Sequence, residues 1–434
     1  MKRTCLGGLI LLALSGAASR GAETNEASPR AVLTNTVSLN ELVSEALEEN
    51  PELKFYEAEI TAAKAGRKTA GAFANPEVNG SVGNKTVRGG GLNAEGVAWS
   101  VSVVQPFEWP GRIGLRKTIA NRDIELAQLG YDRFKGALAG RVRVLSFGLF
   151  AAQEKAAAAR EVAERFKALR EGLVQRDPAG LTPLLETRVI EATELTMQRK
   201  ASDATLATQA ALLELNQLRG AAPDTRLAVR QSDLSFRPVE SMESLVALAR
   251  TNNFELRLRA VELTQQGFRV ELAKNERFRG VAVGPMISEE NAGDRERIIG
   301  VGVSLPLPLW NRNKGNVEAA AARQIQAEVS LNLTEREIHR KTIEAVLTYQ
   351  TKLREMNTWR ADSVAHFKEA AALADRHYRL GAVPISTYVE LQKQYLEAVE
   401  SLLETKKDAL EAAQNLEVLT GLAPSLVSTK EETR

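Results

Sequence analysis

The sequence predicts an α+β membrane protein with an internal duplication, in which long coiled-coil helices carry strands that several copies must pool into one barrel. Three observations predict it. Ser38–Lys54 (SLNELVSEALEENPELK) returns as Ser241–Arg257 (SMESLVALARTNNFELR), and Gly220-Ala221-Ala222-Pro223 returns as Gly421-Leu422-Ala423-Pro424. Each half holds a stretch that alternates large apolar with small or polar residues. Each half also holds a proline-free run too long for a globular core. A period of roughly 200 residues is far beyond that of a solenoid and marks a duplicated domain.

The elements follow in order. Residues 1–18 combine Lys2 and Arg3, an apolar run from Leu6 to Leu14, and the small residues Gly16-Ala17-Ala18. That pattern is a secretory signal peptide, and its apolar run is too short to span a bilayer. Cys5, the one cysteine, precedes the run and cannot become the lipid-bearing first residue of a mature lipoprotein. The mature chain is therefore expected to lack thiols and disulfides, and to depend on packing or oligomerisation. The first repeat, 19–223, reads as a short helix, a hairpin over about 76–107, and long helices over about 112–175 and 184–219. The second, 224–424, reads as a short helix, a hairpin over about 280–307, and long helices over about 312–378 and 385–420. A tail, 425–434, follows.

In the first hairpin Val97, Trp99, Val101 and Val103 alternate with Ala98, Ser100 and Ser102, after a glycine turn at Gly89-Gly90-Gly91. In the second, Ile299, Val301, Val303, Leu305 and Leu307 alternate with Gly300, Gly302, Ser304 and Pro306, after a charged turn around Glu289–Arg297. A period of two suits either a half-buried soluble sheet or a barrel wall between lipid and a watery lumen. The helices decide between them. A run of some 65 residues extends about 100 Å, several times the width of a small domain. The second helix of each pair carries a heptad seam, Tyr388, Leu391, Tyr395, Ala398, Leu402, Thr405, Ala409, Ala412, Leu416 and Leu419 in one. In the other the seam is Ile190, Met197, Ala201, Ala204, Ala211, Leu215 and Leu218, with Glu194 and Thr208 as polar interruptions. Such seams pack against neighbouring helices. The strands of one chain are too few to close a barrel, and open edges are not tolerated in lipid, so copies must associate.

At the joint Pro106-Phe107-Glu108-Trp109-Pro110-Gly111-Arg112, its counterpart Pro306–Gly315 (PLPLWNRNKG), the repeated Asn50-Pro51-Glu52-Leu53, and Tyr378-Arg379-Leu380-Gly381, the chain resembles the TolC-like outer membrane factors. The second joint resembles most the branch that serves heavy-metal efflux pumps of the resistance-nodulation-division (RND) class. The resemblance implies a homotrimer, a shared twelve-strand barrel set in outer-membrane lipid, and a helical tunnel across the periplasm. It also implies a passive exit duct docked to a periplasmic adaptor (membrane fusion protein) and an inner-membrane RND transporter.

Pro106 and Pro306 are expected to end the strand ladders, since proline has no donor. Trp109 and Trp310 fall where strand meets helix, as core packing or as indoles at the lipid surface. The breakers 176–183 and 378–384 lie far from the strands, so Asp177, Gly180, Tyr378, Arg379 and Gly381 are candidate tip and adaptor-docking residues. Glu186 and Glu390 lie just beyond the breakers; the resemblance implies an acidic ring at a narrow entrance, with Glu390 matching a family position and Thr387 departing from one. The alternative is that both glutamates are solvated on outer faces.

With 57 basic against 55 acidic residues, the chain is not a nucleic-acid binder. No phosphate loop, CxxC or nucleophile elbow is present, and Gly89-Gly90-Gly91 does not open a helix. His366 and His377 share a face near Glu369, and His339 stands apart; these read as solvated histidines rather than metal ligands. No cofactor, no resident metal and no enzymatic activity are expected. Alternatives are a duct for drugs or secreted proteins, a soluble periplasmic coiled-coil scaffold, and a hydrolase or binding protein, which would need a polar pocket the sequence does not display.

Overall fold

The computed structural model describes residues 36–89, 92–176, 184–230, 234–239, 241–360, 362–421 and 426–429. The signal peptide and Cys5 lie outside them, as do Asp177 and Gly180. The first repeat contains β1 (Thr36–Val37), α1 (Leu39–Glu49), α2 (Pro51–Ala70), β2 (Glu77–Gly89), β3 (Leu92–Phe107), α3 (Arg112–Arg176) and α4 (Leu184–Leu218). The second contains β4 (Ala228–Val229), β5 (Leu234–Phe236), α5 (Met242–Asn252), α6 (Phe254–Asn275), β6 (Val281–Ala292), β7 (Asp294–Ser304), α7 (Lys314–Thr358), α8 (Ser363–Arg379) and α9 (Ile385–Thr420), and β8 (Val427–Thr429) follows.

The expected short opening helix is two helices in each repeat. Asn50 turns the chain, and its side chain accepts from the Glu52 N–H at the start of α2; Asn253 does the same for Glu255 before α6. Asparagine is a preferred N-cap because its short carbonyl reaches the orphan donors of the first turn. Ser38 opens α1 with a capping box completed by Glu41.

The helix expected over 312–378 is also interrupted. It stops at Thr358, Trp359 takes an extended conformation, and α8 begins at Ser363. Asn357, Thr358 and Trp359 are three weak helix formers in succession, so the break needs no proline. Its counterpart α3 runs unbroken.

The large sheet runs β2-β3-β6-β7, antiparallel throughout, leaving β2 and β7 as its edges. The charged segment expected as a turn is ladder instead, with Glu289 opposite Arg297 and Asn291 opposite Arg295, and the chain reverses at Gly293. The Glu289 carboxylate accepts from both Arg295 and Arg297, which neutralises the charges along the pairing.

Pro106 does not end its strand either: β3 continues to Phe107, and Pro106 stands opposite Ala282. β2 has already stopped opposite Val104, and the Gln105 side chain donates to the Pro106 carbonyl and to the Ala74 carbonyl. The missing donor thus faces the side that β2 has vacated, where it costs no ladder bond. Pro306 lies two residues beyond β7.

The main core is helical. Leu39, Leu42, Phe147, Phe166, Ile190, Met197, Leu215 and Tyr388 are fully buried where α1, α3, α4 and α9 meet. The sheet is the reverse: Val97, Val101, Val103, Ile299, Val301 and Val303 are exposed, while the small residues of β3 are half-buried. No helix among the described residues is long and apolar enough to cross a membrane.

Candidate functional site

The chain turns from α8 into α9 through Gly381. Its φ is +72°, its N–H donates to the Tyr378 carbonyl, and the Ala382 N–H donates to that of His377. This pair of reversed bonds satisfies the last carbonyls of α8 and needs the left-handed conformation that glycine adopts freely. Arg379 folds back on Asp375 one turn earlier, with Nε 3.0 Å from Oδ2.

Beneath the turn lies an aromatic stack. Tyr378 stacks on Tyr388 with ring centroids 5.4 Å apart, and Phe166 of α3 meets Tyr388 edge-on at 5.2 Å. These rings pin the α8–α9 turn to α3 with geometry that aromatic quadrupoles favour. Burial pushes the Tyr388 phenol well above its ordinary pKa, and the Asp375 carboxylate pushes it further, against Arg165 and Arg379. Burial, then the Glu186 carboxylate, raises Tyr378.

Tyr378, Arg379, Gly381 and Glu186 line one open groove of about 580 Å³, floored by Leu169 and Gly172 of α3. Glu390 is not in that groove; it is exposed on α9 and accepts from the Gln394 amide at 2.9 Å. One chain therefore brings Glu186 to the α8–α9 turn and leaves Glu390 apart. Further along the bundle, Gln392 is fully buried, donating to the Ala371 carbonyl and accepting from Arg165. Glu194, the polar interruption of the first seam, is buried against Arg170. Phe166 and Gln392 gave no signal in the sequence, because their roles depend on packing between elements distant along the chain. His366 faces Asp362 on an exposed surface, and His377 is exposed. Among the described residues no cluster of three or more His, Cys, Asp or Glu side chains could hold a metal ion.

The two joints differ. Trp109 stacks on Phe278, whereas Trp310 is 93 % exposed.

No curated protein matches this sequence. Its fold is that of solved outer-membrane channels. It aligns with CusC at 15 % identity and a TM-score of 0.69, over 90 % of this chain and 93 % of that one. The Campylobacter jejuni CmeC outer membrane channel aligns at 17 % and 0.71, over 89 % and 86 %. The open state of the Neisseria gonorrhoeae MtrE outer membrane channel aligns at 16 % and 0.66, over 89 % of each chain. The outer membrane efflux protein profile matches residues 42–221 and again 246–422, one copy on each repeat. The chain thus belongs to the outer membrane efflux protein family, whose members are transport ducts of the outer membrane and not enzymes.

Proposed function

We propose that three copies of this chain form the exit duct of a tripartite efflux system, coupled to a periplasmic adaptor and an inner-membrane RND transporter, and that its cargo is metal cations. The observation that carries the duct is the sheet, which exposes its apolar face, half-buries its small residues and leaves both edges unpaired. In water such a surface aggregates; in lipid it is a barrel wall once copies close the edges. The likeness of Pro306–Gly315 to the metal-efflux branch supports the cargo. A deletion strain should become sensitive to metal salts and regain resistance from the intact gene; a strain sensitised only to organic toxicants would overturn the metal reading and leave the duct.

The tips are proposed as the adaptor-docking end, with Glu186 and Glu390 around the axis of the trimer. Carboxylates gathered three at a time in a narrow opening concentrate cations. Glu390→Gln should weaken cation selectivity and multivalent-cation block in planar bilayers, with the barrel intact. Unchanged selectivity and cation block in both Glu390→Gln and Glu186→Gln would mean that these residues are ordinary solvated glutamates.

A further inference from the structure

One joint between strand and helix is complete within the chain. Trp109, two residues past β3, stacks on Phe278, three residues past α6, with ring centroids 4.9 Å apart and planes 23° from parallel. Arg112 fastens the same corner: its Nε donates to Asn275 Oδ1 at 3.1 Å and its Nη2 to the Asn275 carbonyl at 3.2 Å. The Asn275 amide in turn donates to the Pro110 carbonyl at 3.0 Å. The corner exists because β3 pairs with β6, which brings the start of α3 beside the end of α6.

The other joint has the same parts without the contact. Trp310 lies six residues past β7, where Trp109 lies two past β3, and is 93 % exposed. Phe73 stands three residues past α2, as Phe278 stands three past α6, and is 72 % exposed. β7 and β2 are the two edges of the sheet, so within one chain these rings belong to opposite sides of it. We infer that Trp310 of one copy stacks on Phe73 of the next, so that the seam between copies repeats the β3–β6 seam within a copy. The inference rests on the shared barrel proposed above, because only closure of β7 on a neighbour's β2 brings the rings together. The occupant is a second copy of this chain, since the duplication supplies a Trp–Phe pair at each joint and the fold satisfies only one of them internally. Aromatic pairs so placed add to what the strand edges contribute through main-chain bonds. The two joints are not identical. The residue three before Phe73 is Ala70, where Asn275 precedes Phe278, so the joint between copies lacks the asparagine clamp and leans on its rings.

The chain's one cysteine, Cys5, sits ahead of the apolar run at the amino terminus, so introduced thiols would be the reactive ones. The full chain carrying both Trp310→Cys and Phe73→Cys, treated in outer membranes with a short bis-maleimide, should give a covalent ladder of dimer and trimer; neither single variant should. Native mass spectrometry of the detergent-solubilised wild type reads the trimer separately. A trimer without the ladder would overturn the aromatic joint and leave the shared barrel, with Trp310 facing lipid. A monomer by native mass would overturn both. Should the double-cysteine chain not assemble, the exchanged pair Trp310→Phe with Phe73→Trp should keep the wild-type dissociation temperature, while Trp310→Ala lowers it. Equal temperatures in all three would overturn the joint.

Discussion

In the first repeat Gly220, two residues past α4, has a φ of +67°, and the Asn50 amide donates to the Leu218 carbonyl at 2.8 Å. In the second, Gly421 caps α9 with a φ of +63°, and the Asn253 amide donates to the Leu419 carbonyl at 2.8 Å. Each glycine lies against the last turn of the repeat's opening helix, at the carbonyls of Glu49 and Asn252. Around this shared corner the repeats diverge. Arg219 forms a two-point ion pair with Glu45, whereas the aligned positions of the second repeat hold Thr420 and Leu248. Thr420 turns its hydroxyl back to the Leu416 carbonyl instead. The duplication has kept the devices that satisfy backbone groups at helix ends, which carry a heavy cost when left unmade, and has let side-chain pairings drift. The same holds for the long helices, of which α3 is continuous while the second-repeat run is split between α7 and α8.

The strands offer the largest test of this symmetry. Val101 and Val301 occupy aligned, exposed positions, and an arginine at the midplane of a barrel's lipid face costs about 2–4 kcal/mol. Val101→Arg and Val301→Arg should therefore lower the yield of heat-modifiable trimer alike, and more than Ser304→Arg. A large difference between the two valines would break the equivalence of the hairpins.

The helix-end corners come next. A Cβ at Gly220 would meet the Glu49 carbonyl oxygen at 2.9 Å, and one at Gly421 the Asn252 oxygen at 2.7 Å, while at Gly381 nothing lies within 4 Å. All three have positive φ. Gly220→Ala and Gly421→Ala should each cost about 1–3 kcal/mol, strain and clash together, against about 1–2 kcal/mol for the conformation alone at Gly381. Apparent melting midpoints of the helical signal would read this; equal losses at all three would show that the clash is relieved by small backbone shifts.

The smallest effect at neutral pH concerns the second repeat's tyrosines. Burial, and then the Glu417 carboxylate, raises Tyr349 to about 12, and burial raises Tyr388. The folded state favours the neutral phenol, so this stability is fully present below the unfolded pKa near 10 and is lost as pH rises through the folded values. Tyr349→Phe with Tyr388→Phe should move the alkaline unfolding midpoint upward. Near pH 7 the variant should lose only about 1 kcal/mol, for the Tyr349 bond to the Arg237 carbonyl. An unmoved alkaline midpoint would place the first alkaline failure elsewhere.

Much of the fold was legible in the sequence because it is periodic. The duplication, the two hairpins and the seam through Tyr388, Tyr395, Ala409 and Leu416 are all written in spacing, and the structure buries those four residues. The break after Thr358 was not legible, because it comes from weak propensities in a row and carries no proline. Nor was the extension of β6 and β7 through the charged segment, where Glu289 gathers two arginines that read as a solvated turn until the ladder brings them together. Between α8 and α9 the sequence marked the turn residues through Gly381 and Pro384, since punctuation is local. It could not mark Phe166, whose role exists only once α3 lies beside α9.

The open-edged sheet has a consequence for timing. The helices of one chain bury a core of their own and are equipped to fold in water, one chain at a time. In the shared barrel proposed above, the strands gain their environment only when other chains and a bilayer are present together. On that proposal biogenesis splits into an early step that does not depend on protein concentration and a late one that rises steeply with it. Between the two, on that proposal, each chain travels with its most aggregation-prone surface uncovered, and the yield of assembled duct depends on the rate of encounter between copies as well as on the stability of each.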